Sequence, residues 1–311
     1  MKNLITKISL LGLMFIFVFA CGVSGKGEKY KFEFNFEKGS TFKQKTLTES
    51  KSSQELMGQK MESTIAMTAD MSFDVKDFEN NLYKVDMKYD AVKMDMLIAG
   101  MSLSFDSNTT EDKAYGQNMS PIFKAMVNIP FEVEMNKKGK VFSVTGFENI
   151  TAAMLDAMSE LDENTTNQML QQIGNSYSEE SIKSTLEQSF AYFPENEVAA
   201  GDTWKKDMDI NIMNTTINVT MNITLEKVVD NIASLKAEGT IKTVKDIIQD
   251  LNGIEAKTSL SGNQTINLQI DLKTCWIVSG EIRQSLVGET NAMGMKIPIT
   301  TVNTTTIKGE Q

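Results

Sequence analysis

The sequence predicts a mainly β protein, in which two curled antiparallel sheets flank an α-helical segment. Three observations support this fold class: period-two alternation of apolar and polar residues towards both ends, a helical period in the middle, and similar turns in the two halves. We place the first β half at residues 29–147, the helical segment at residues 148–194 and the second β half at residues 195–311.

The first half opens with an aromatic strand, whose predicted inward face consists of Tyr30, Phe32, Phe34 and Phe36. Two longer strands follow, with alternating inward residues from Ile65 to Val75 and from Tyr83 to Ala91. The apolar phase of the second then slips by one residue, to Val92, Met94 and Met96. Such a slip is typical of a β-bulge, which bends a strand where a sheet must curl. Further strands are predicted at Met101–Phe105 and Phe131–Met135.

The middle of the chain has a helical period. One predicted helix places its apolar positions at spacings of three or four, at Ile150, Met154, Met158 and Leu161. A continuation contains Met169, Leu170 and Ile173, with Gly174 as a stop signal. Ser178 is a candidate N-cap for a last helix with apolar positions at Ile182, Leu186 and Phe190, which Pro194 ends.

Strand patterns resume after the helices, with alternating apolar residues at Met208–Ile212, Ile217–Leu225, Leu235–Ile241 and Ile266–Leu272 and a turn at 229–231. The last strands are indicated only by short apolar pairs, Trp276 with Val278 and Ile297 with Ile299. The two halves are alike. The segment Gly39-Ser40-Thr41-Phe42 corresponds to Gly201-Asp202-Thr203-Trp204, and the turn at 135–141 corresponds to the turn at 270–276. These matches predict a tandem duplication. The alternative is that both halves reuse common hairpin turns.

Residues 1–20 have the three-part pattern of an export signal, with basic Lys2 and Lys7, then an apolar run, then small Ala20 before Cys21. The stretch Val18-Phe19-Ala20-Cys21 resembles the bacterial lipobox. The resemblance implies cleavage between Ala20 and Cys21, and acylation of the Cys21 thiol with palmitate-type chains. Residues 21–28 then form a flexible tether. We expect a lipid-anchored protein of the bacterial cell envelope, facing the periplasm or the surface. Gly22 in place of Asp favours the outer membrane, by the sorting rule of the best-known system.

Composition excludes several functions. The net charge of −10 argues against a nucleic-acid partner. The absence of histidine removes the commonest general base and the usual zinc ligand, so we predict neither an enzyme nor a cofactor or metal site. With Cys21 acylated, Cys275 has no partner for a disulfide, and we interpret it as a buried apolar residue.

The aromatic first strand, the Gly-Ser-Thr-Phe and Gly-Asp-Thr-Trp starts at Gly39 and Gly201, and the Asp-Leu-Lys-Thr-Cys-Trp turn at 271–276 together resemble an uncharacterised family of bacterial lipoproteins. No biochemical activity is assigned to that family, and it therefore implies no catalytic residues. At the level of the fold, long strands around a helical segment look like the half-barrels of the LolA and LolB lipoprotein carriers. In those carriers the concave apolar side holds acyl chains, and helices cover it.

Methionine is abundant, with 21 residues, many of them at predicted inward positions. They form either a soft lining for a hydrophobic ligand or ordinary core filling. Trp204 and Trp276 either stack on a ligand or pack beside turns. Our leading hypothesis is non-enzymatic binding of a hydrophobic or amphipathic ligand on a concave sheet. The alternative is a structural or protein-interaction lipoprotein of the envelope, with a solid core. The expected partners are thus the membrane, through the lipid, and either such a ligand or an envelope protein.

Overall fold

A computed structural model of the chain describes residues 27–56, 58–98, 100–109, 120–158, 179–212, 215–250 and 255–311. The first half contains β1 (Lys29–Tyr30), β2 (Thr41–Leu56), β3 (Gln59–Glu79), β4 (Leu82–Ile98), β5 (Met101–Asp106), α1 (Ser120–Ala125), β6 (Phe131–Asn136) and β7 (Val141–Thr145). Then follow α2 (Phe147–Ala157) and α3 (Glu179–Ser189). The second half contains β8 (Val198–Ala199), β9 (Thr203–Ile212), β10 (Thr215–Val229), β11 (Ile232–Thr243), β12 (Ile247–Asp250), β13 (Glu255–Asp271), β14 (Trp276–Ala292) and β15 (Met295–Glu310).

Thirteen strands of the described residues form one antiparallel sheet, in the order β7-β6-β4-β3-β2-β15-β14-β13-β11-β10-β9, while β5 pairs with β4 and β12 with β13. The sheet is open, and β1 and β8 form a separate two-stranded sheet. The mainly β fold with a helical insertion is thereby confirmed. The two large sheets that we expected are joined into one, because β15 pairs with β2 from Ile299↔Gln54 to Glu310↔Lys43.

Three hairpins of the described residues turn through residue pairs with positive φ, one of them at Met293 and Gly294, with φ angles of 53° and 77°. Asn80 and Asn81 have φ angles of 54° and 64°, and Asp230 and Asn231 have φ angles of 51° and 64°. Positive φ at both central residues is the geometry of a two-residue type I′ turn, which Asn and Asp tolerate better than most residues. The turn predicted at 229–231 is therefore confirmed.

The starts of the two halves have the same backbone geometry. Gly39 and Gly201 both lie in the left-handed region, with φ angles of 85° and 91°. The Gly39 N–H donates to the Val75 carbonyl at 2.8 Å, and the Gly201 N–H donates to the Leu225 carbonyl at 2.7 Å. A β-bulge follows at once in both strands, where the register shifts after Val75 and after Leu225. This shared geometry supports the predicted duplication.

A second pair of turns also corresponds. In each turn the side chain of the last strand residue accepts a backbone N–H two residues on, Asn136 Oδ1 at 2.9 Å and Asp271 Oδ1 at 3.0 Å. Such a bond is an Asx turn, so both loops begin in the same way. The left-handed residue comes three residues after Asn136 in the first turn, at Gly139, and four residues after Asp271 in the second, at Cys275, with φ angles of 79° and 59°.

The aromatic segment at the start of the fold differs from its prediction. Only Lys29–Tyr30 pairs as a strand; residues 31–36 are extended but belong to no sheet. The Phe34 N–H donates to the Lys137 carbonyl at 2.7 Å, and the Asn35 N–H donates to the Thr274 carbonyl at 3.3 Å. The segment therefore bridges the corresponding turns of the two halves. Its predicted alternation is confirmed, since Phe32, Phe34 and Phe36 are buried.

The packed core is built around this segment. The Phe34 ring centroid lies 4.8 Å from those of Phe36 and Phe190. Beneath them, the Tyr83 hydroxyl donates to the Phe34 carbonyl at 3.1 Å and accepts the Phe36 N–H at 3.2 Å. Burial raises the pKa of Tyr83, so its hydroxyl stays a donor well above neutral pH. The core therefore joins both halves of the sheet.

Helix α3 brings the two edges of the sheet together at this end. It packs against both β7 and β9, which are the terminal strands of the sheet. The Glu187 Oε1 atom accepts the Val141 N–H of β7 at 3.0 Å. Because a helix is about 10 Å wide, the two edges lie roughly one helix diameter apart here. The sheet is therefore strongly curled.

The helix predictions are confirmed where the structure describes them, at 147–157 and 179–189. Their expected positions Leu161, Met169, Leu170, Ile173, Gly174 and Ser178 lie outside the described residues. Helix α1 was not predicted, although Ser120-Pro121 is a start signal, because proline suits the first turn. The predicted bulge in β4 is present at Asp90, where the register passes from Met71↔Tyr89 to Asp70↔Ala91. Ala91 therefore lies on the outer face, not inward as expected.

Candidate functional site

The strand register assigns every paired residue to one of two faces. Cross-strand partners lie on the same face of a sheet. Phe42, Phe73 and Met87 are paired in succession and are buried, so their face is the inner face of the curl. Lys45 pairs with Asp70 on the outer face, with Nζ 3.2 Å from Oδ1.

Charge is divided between these faces, except that Lys206 of the edge strand β9 has an inner position opposite Met221. In the described parts of β2–β5 and β13–β15, apart from the bulge residues Lys76 and Asp90, every charged residue has an outer register position. The inner positions of these strands carry apolar, Tyr, Gly, Ser, Thr, Asn or Gln side chains only. An uncharged inner face is expected where a core packs, but here it continues past the core.

The packed core occupies only one end of this inner face. Met87, Met135 and Met221 belong to it and are almost inaccessible to solvent. Further along the same strands the register continues through Met67↔Met94, Ile65↔Met96 and Met96↔Leu103. We call this second group, which lies outside the core cluster, the apolar wall: Ile65, Met67, Met94, Met96 and Leu103.

The apolar wall is not covered by the described part of the protein. Ile65 is 36 % exposed, and the other four side chains are partly exposed. At its rim, Met61 and Met101 are 47 % and 62 % exposed. Clustered apolar side chains that remain accessible on a protein surface mark a site for a partner or ligand.

A row of amides borders the wall on the other side of the same face. The pairs Gln264↔Gln284, Gln284↔Asn303 and Asn303↔Ser50 place four polar residues in line across β13, β14, β15 and β2. The Asn303 Nδ2 donates to Gln284 Oε1 at 3.1 Å, and the Gln284 Nε2 donates to Gln264 Oε1 at 3.3 Å. We call Gln264, Gln284 and Asn303 the amide row. It continues through Ser50 directly into Ile65 of the apolar wall.

Glycines allow close curvature beside the amide row. A Cβ atom on Gly262 would lie 1.9 Å from the Ser285 backbone oxygen, and one on Gly288 would lie 1.8 Å from the Ser259 oxygen. No side chain fits at these inner positions. The two glycines therefore allow a close approach of β13 and β14, and a curvature, that a larger residue would prevent.

The outer face has its own polar grooves. The larger one, of about 630 Å³, lies over β2, β3, β4 and the end of β15. Its lining alternates in charge, with Lys43, Lys45, Lys88 and Lys308 among Asp70, Asp74, Asp90 and Glu310. Because each sign is neutralised by the other, the groove has no net attraction for one class of ion.

The residues singled out in the sequence fall in the core or outside the described part. The Trp276 ring packs 5.0 Å from Phe42 and 4.9 Å from Phe73, and the Trp204 indole N–H donates to the Tyr192 carbonyl at 3.1 Å. Both tryptophans therefore pack in the fold. Cys275 is buried as interpreted, and burial raises the pKa of its thiol to about 12.

Ala20 and Cys21 lie outside the described residues, so their predicted cleavage and acylation remain predictions. Within the described ranges, no group of three or more Asp, Glu and Cys side chains is arranged to hold a metal ion. No helix among the described residues combines the length and apolar character that crossing a bilayer requires.

Residues 80–277, more than half of the chain, match the model of a family of unknown function, DUF6263. The chain belongs to this family. The predicted resemblance to an uncharacterised family is thereby confirmed, and the DUF6263 region runs from the β3–β4 turn to the start of β14. A search of curated proteins found no match.

Solved structures offer only distant likenesses. Lipovitellin, from a study of its lipid–protein interactions, matches with 9 % identity and a TM-score of 0.47 over 89 % of this chain. The chain spans 26 % of that lipovitellin chain. An outer membrane channel from Pseudomonas putida F1 has 8 % identity and a TM-score of 0.19, covering 90 % of this chain and 98 % of the channel. The β domain of a Bordetella autotransporter has 7 % identity and a TM-score of 0.21, covering 86 % and 99 %.

Sequence reasoning found the methionines of the wall but missed the amide row. Gln264, Gln284 and Asn303 look like ordinary solvent-facing strand residues when each is taken alone. One signal could have found them: Gln264 and Gln284 occupy the same alternating positions as apolar Ile266 and Ile282, which face inwards. A polar residue at a position where the alternation predicts an inward apolar residue indicates such a site.

Proposed function

We propose that this protein binds a hydrophobic or amphipathic ligand on the inner face of its curled sheet, without acting on it as an enzyme. One observation carries the proposal: the inner face continues beyond the packed core as an uncharged, accessible, methionine-rich wall. If the sheet served only to enclose the core, its strands would end where the core ends, or would carry polar residues on both faces beyond it.

Physical chemistry favours a ligand over plain solvent at this wall. Removing apolar surface from water contributes about 25 cal/mol per Å², so five partly exposed side chains represent a substantial unused driving force. Methionine is unbranched and flexible, and it adapts its shape to varied apolar partners. The wall also continues the inner face of the core, because its residues follow Phe73 at every second position of β3, and follow Met87 on the same face of β4 after the bulge at Asp90.

We propose further that the protein is anchored in the bacterial cell envelope by lipid on Cys21. The export signal and the lipobox-like stretch support this assignment. With residues 21–28 as a tether, eight residues span at most about 28 Å when fully extended. The aromatic segment, and with it the packed end, would then stay close to the bilayer. Gly22 favours the outer membrane as the location.

The wall can be tested with a matched pair of substitutions in β4. Met96 has an inner position and adjacent Leu97 an outer one, with 49 % of its surface exposed. The protein used is residues 22–311, which contain every described element and the whole core. Binding of the neutral apolar dye N-phenyl-1-naphthylamine is followed by fluorescence, and co-purified lipid by native mass spectrometry and extraction.

We expect the wild type to bind the dye and to carry lipid. Met96→Lys should weaken dye binding at least tenfold, because a charge at the wall loses hydration when an apolar ligand covers it. Leu97→Lys should bind within twofold of the wild type. Wild-type protein that neither carries lipid nor binds the dye would overturn the proposal and favour the interaction protein with a solid core. Equal losses in both variants would also contradict it.

A further inference from the structure

The amide row has hydrogen-bonding capacity that the described protein does not use. A primary amide offers two N–H donors and two acceptor lone pairs. The two bonds within the row use the Oε1 of Gln264 and one donor of Gln284, and they leave the Gln264 Nε2 without an acceptor among the described residues. At the other end, Asn303 Oδ1 accepts no bond from the described residues.

This unused capacity lies at a nearly enclosed position. Gln264 is only 5 % exposed, yet it stands on the inner face with apolar Ile266 as its neighbour in the same phase. A polar group in such surroundings is stabilised when it meets a hydrogen-bond partner. Thr48 with Thr305, and Ser52 with Thr301, pair their hydroxyls at 3.0 and 2.9 Å, so the rows on either side are satisfied within the protein.

Charge narrows the chemistry of the missing partner. In the described strands of the sheet, one cation has an inner register position: Lys206 of β9, which lies in the same row as Gln264, three strands or about 14 Å away. A carboxylate or phosphate brought to the amide row would therefore lose water without an ionic partner in contact with it. An ester, an amide or a hydroxyl group would meet donors and acceptors of matching, neutral character.

The row also lies in register with the apolar wall. Gln264 and Ile65 lie on the first and last of five neighbouring strands, and at about 4.8 Å for each of the four spacings their distance is about 19 Å. Ser50 lies between Asn303 of the amide row and Ile65 of the apolar wall in the same cross-strand row. A ligand that satisfies both must have a neutral polar part joined to a long apolar part.

Resting on the proposed function, we propose that the amide row recognises the uncharged ester, amide or hydroxyl group of a neutral lipid whose chains lie on the apolar wall. Gln264 and Asn303 supply the free donor and acceptor. Gln284 holds them in line, and is therefore a positioning residue for both.

The test compares Gln284→Leu with Ser285→Ala, its neighbour on the outer face. Dioleoylglycerol and oleate are each used to displace bound N-phenyl-1-naphthylamine from residues 22–311. The wild type should bind dioleoylglycerol at least tenfold more tightly than oleate. Gln284→Leu should weaken dioleoylglycerol binding about fivefold, the value of about one hydrogen bond, and leave direct dye binding within twofold. Ser285→Ala should change neither.

The outcomes separate this proposal from the one on which it rests. Unchanged affinity of Gln284→Leu for dioleoylglycerol, or equal binding of oleate and dioleoylglycerol by the wild type, overturns the role of the amide row while dye binding persists. Absence of all binding to the wild type overturns both proposals. If Gln284→Leu fails to fold by circular dichroism, Gln264→Leu provides the same comparison, with the same expected and contrary results.

Discussion

The aromatic segment outside the sheet should be essential for stability, and Phe34→Ala tests this. Phe34 is 1 % exposed, and its ring packs 4.8 Å from two other rings and 5.4 Å from that of Phe193. Removing a buried Phe side chain loses its transfer free energy and leaves a cavity, which together cost about 3–5 kcal/mol. A typical protein is stable by only about 5–15 kcal/mol. A single side chain in a segment without sheet pairing would thus account for a large share of the free energy of unfolding.

The assay is urea unfolding of residues 22–311, followed by circular dichroism. With a urea dependence of about 2–3 kcal/mol per molar, we expect the midpoint to fall by about 1–2 M. The control is Phe142→Ala, a residue of the edge strand β7 that is 48 % exposed, and its loss should be less than half as large. A Phe34→Ala variant within 1 kcal/mol of the wild type, or no worse than the control, would refute the view that this segment holds the two halves together.

The remaining predictions concern two other features of the fold. The Cys275 thiol should not react with a disulfide reagent at pH 8 in the native protein and should react fully once urea unfolds it, because burial raises its pKa to about 12. A raised native pKa stabilises fully below the unfolded value of about 8.5 and less at each higher pH. The stability of the wild type relative to Cys275→Ala should accordingly decrease from pH 8.5 upwards, and a constant difference would contradict this. Gly262→Ala should cost at least about 2 kcal/mol in thermal unfolding, since its Cβ would meet a backbone oxygen at 1.9 Å. Its outward neighbour Ser261→Ala should stay within about 0.5 kcal/mol, and equal effects would sink the argument for close curvature.

Local patterns predicted most of the elements because they report directly on burial. Alternation placed β3, β4, β6 and β10, and helical spacing placed α2 and α3. The same signal misled at Phe32–Phe36, because alternation reveals that one side of an extended chain is buried but not whether its backbone pairs with a strand. Nor could it show β15 beside β2, since those partners lie about 250 residues apart and their contact depends on the whole fold.

The least predictable strands are those that carry the amide row. The sequence indicated β14 and β15 only through short apolar pairs, whereas the structure extends them to Trp276–Ala292 and Met295–Glu310. Their inner positions include Gln284, Gly288 and Asn303, which interrupt any apolar alternation. A sequence that departs from its own pattern at buried positions usually does so for a function. The weak strand signal and the candidate site thus have one physical cause.

The methionines show why position along a strand decides what a residue does. Met87 and Met94 share the inner face of β4, but Met87 is completely buried in the core and Met94 is partly exposed on the wall. Core filling and an accessible methionine-rich surface are therefore both present, and the aromatic segment at residues 31–36 marks the border between them. Where Phe34 and Phe36 fill the curl, methionine completes a solid interior. Beyond Phe34 and Phe36, the methionines on the same face are not covered by any side chain of the described protein. Covering an accessible apolar surface removes it from water and is favourable, so the length of the sheet beyond the aromatic segment would set the size of the proposed ligand.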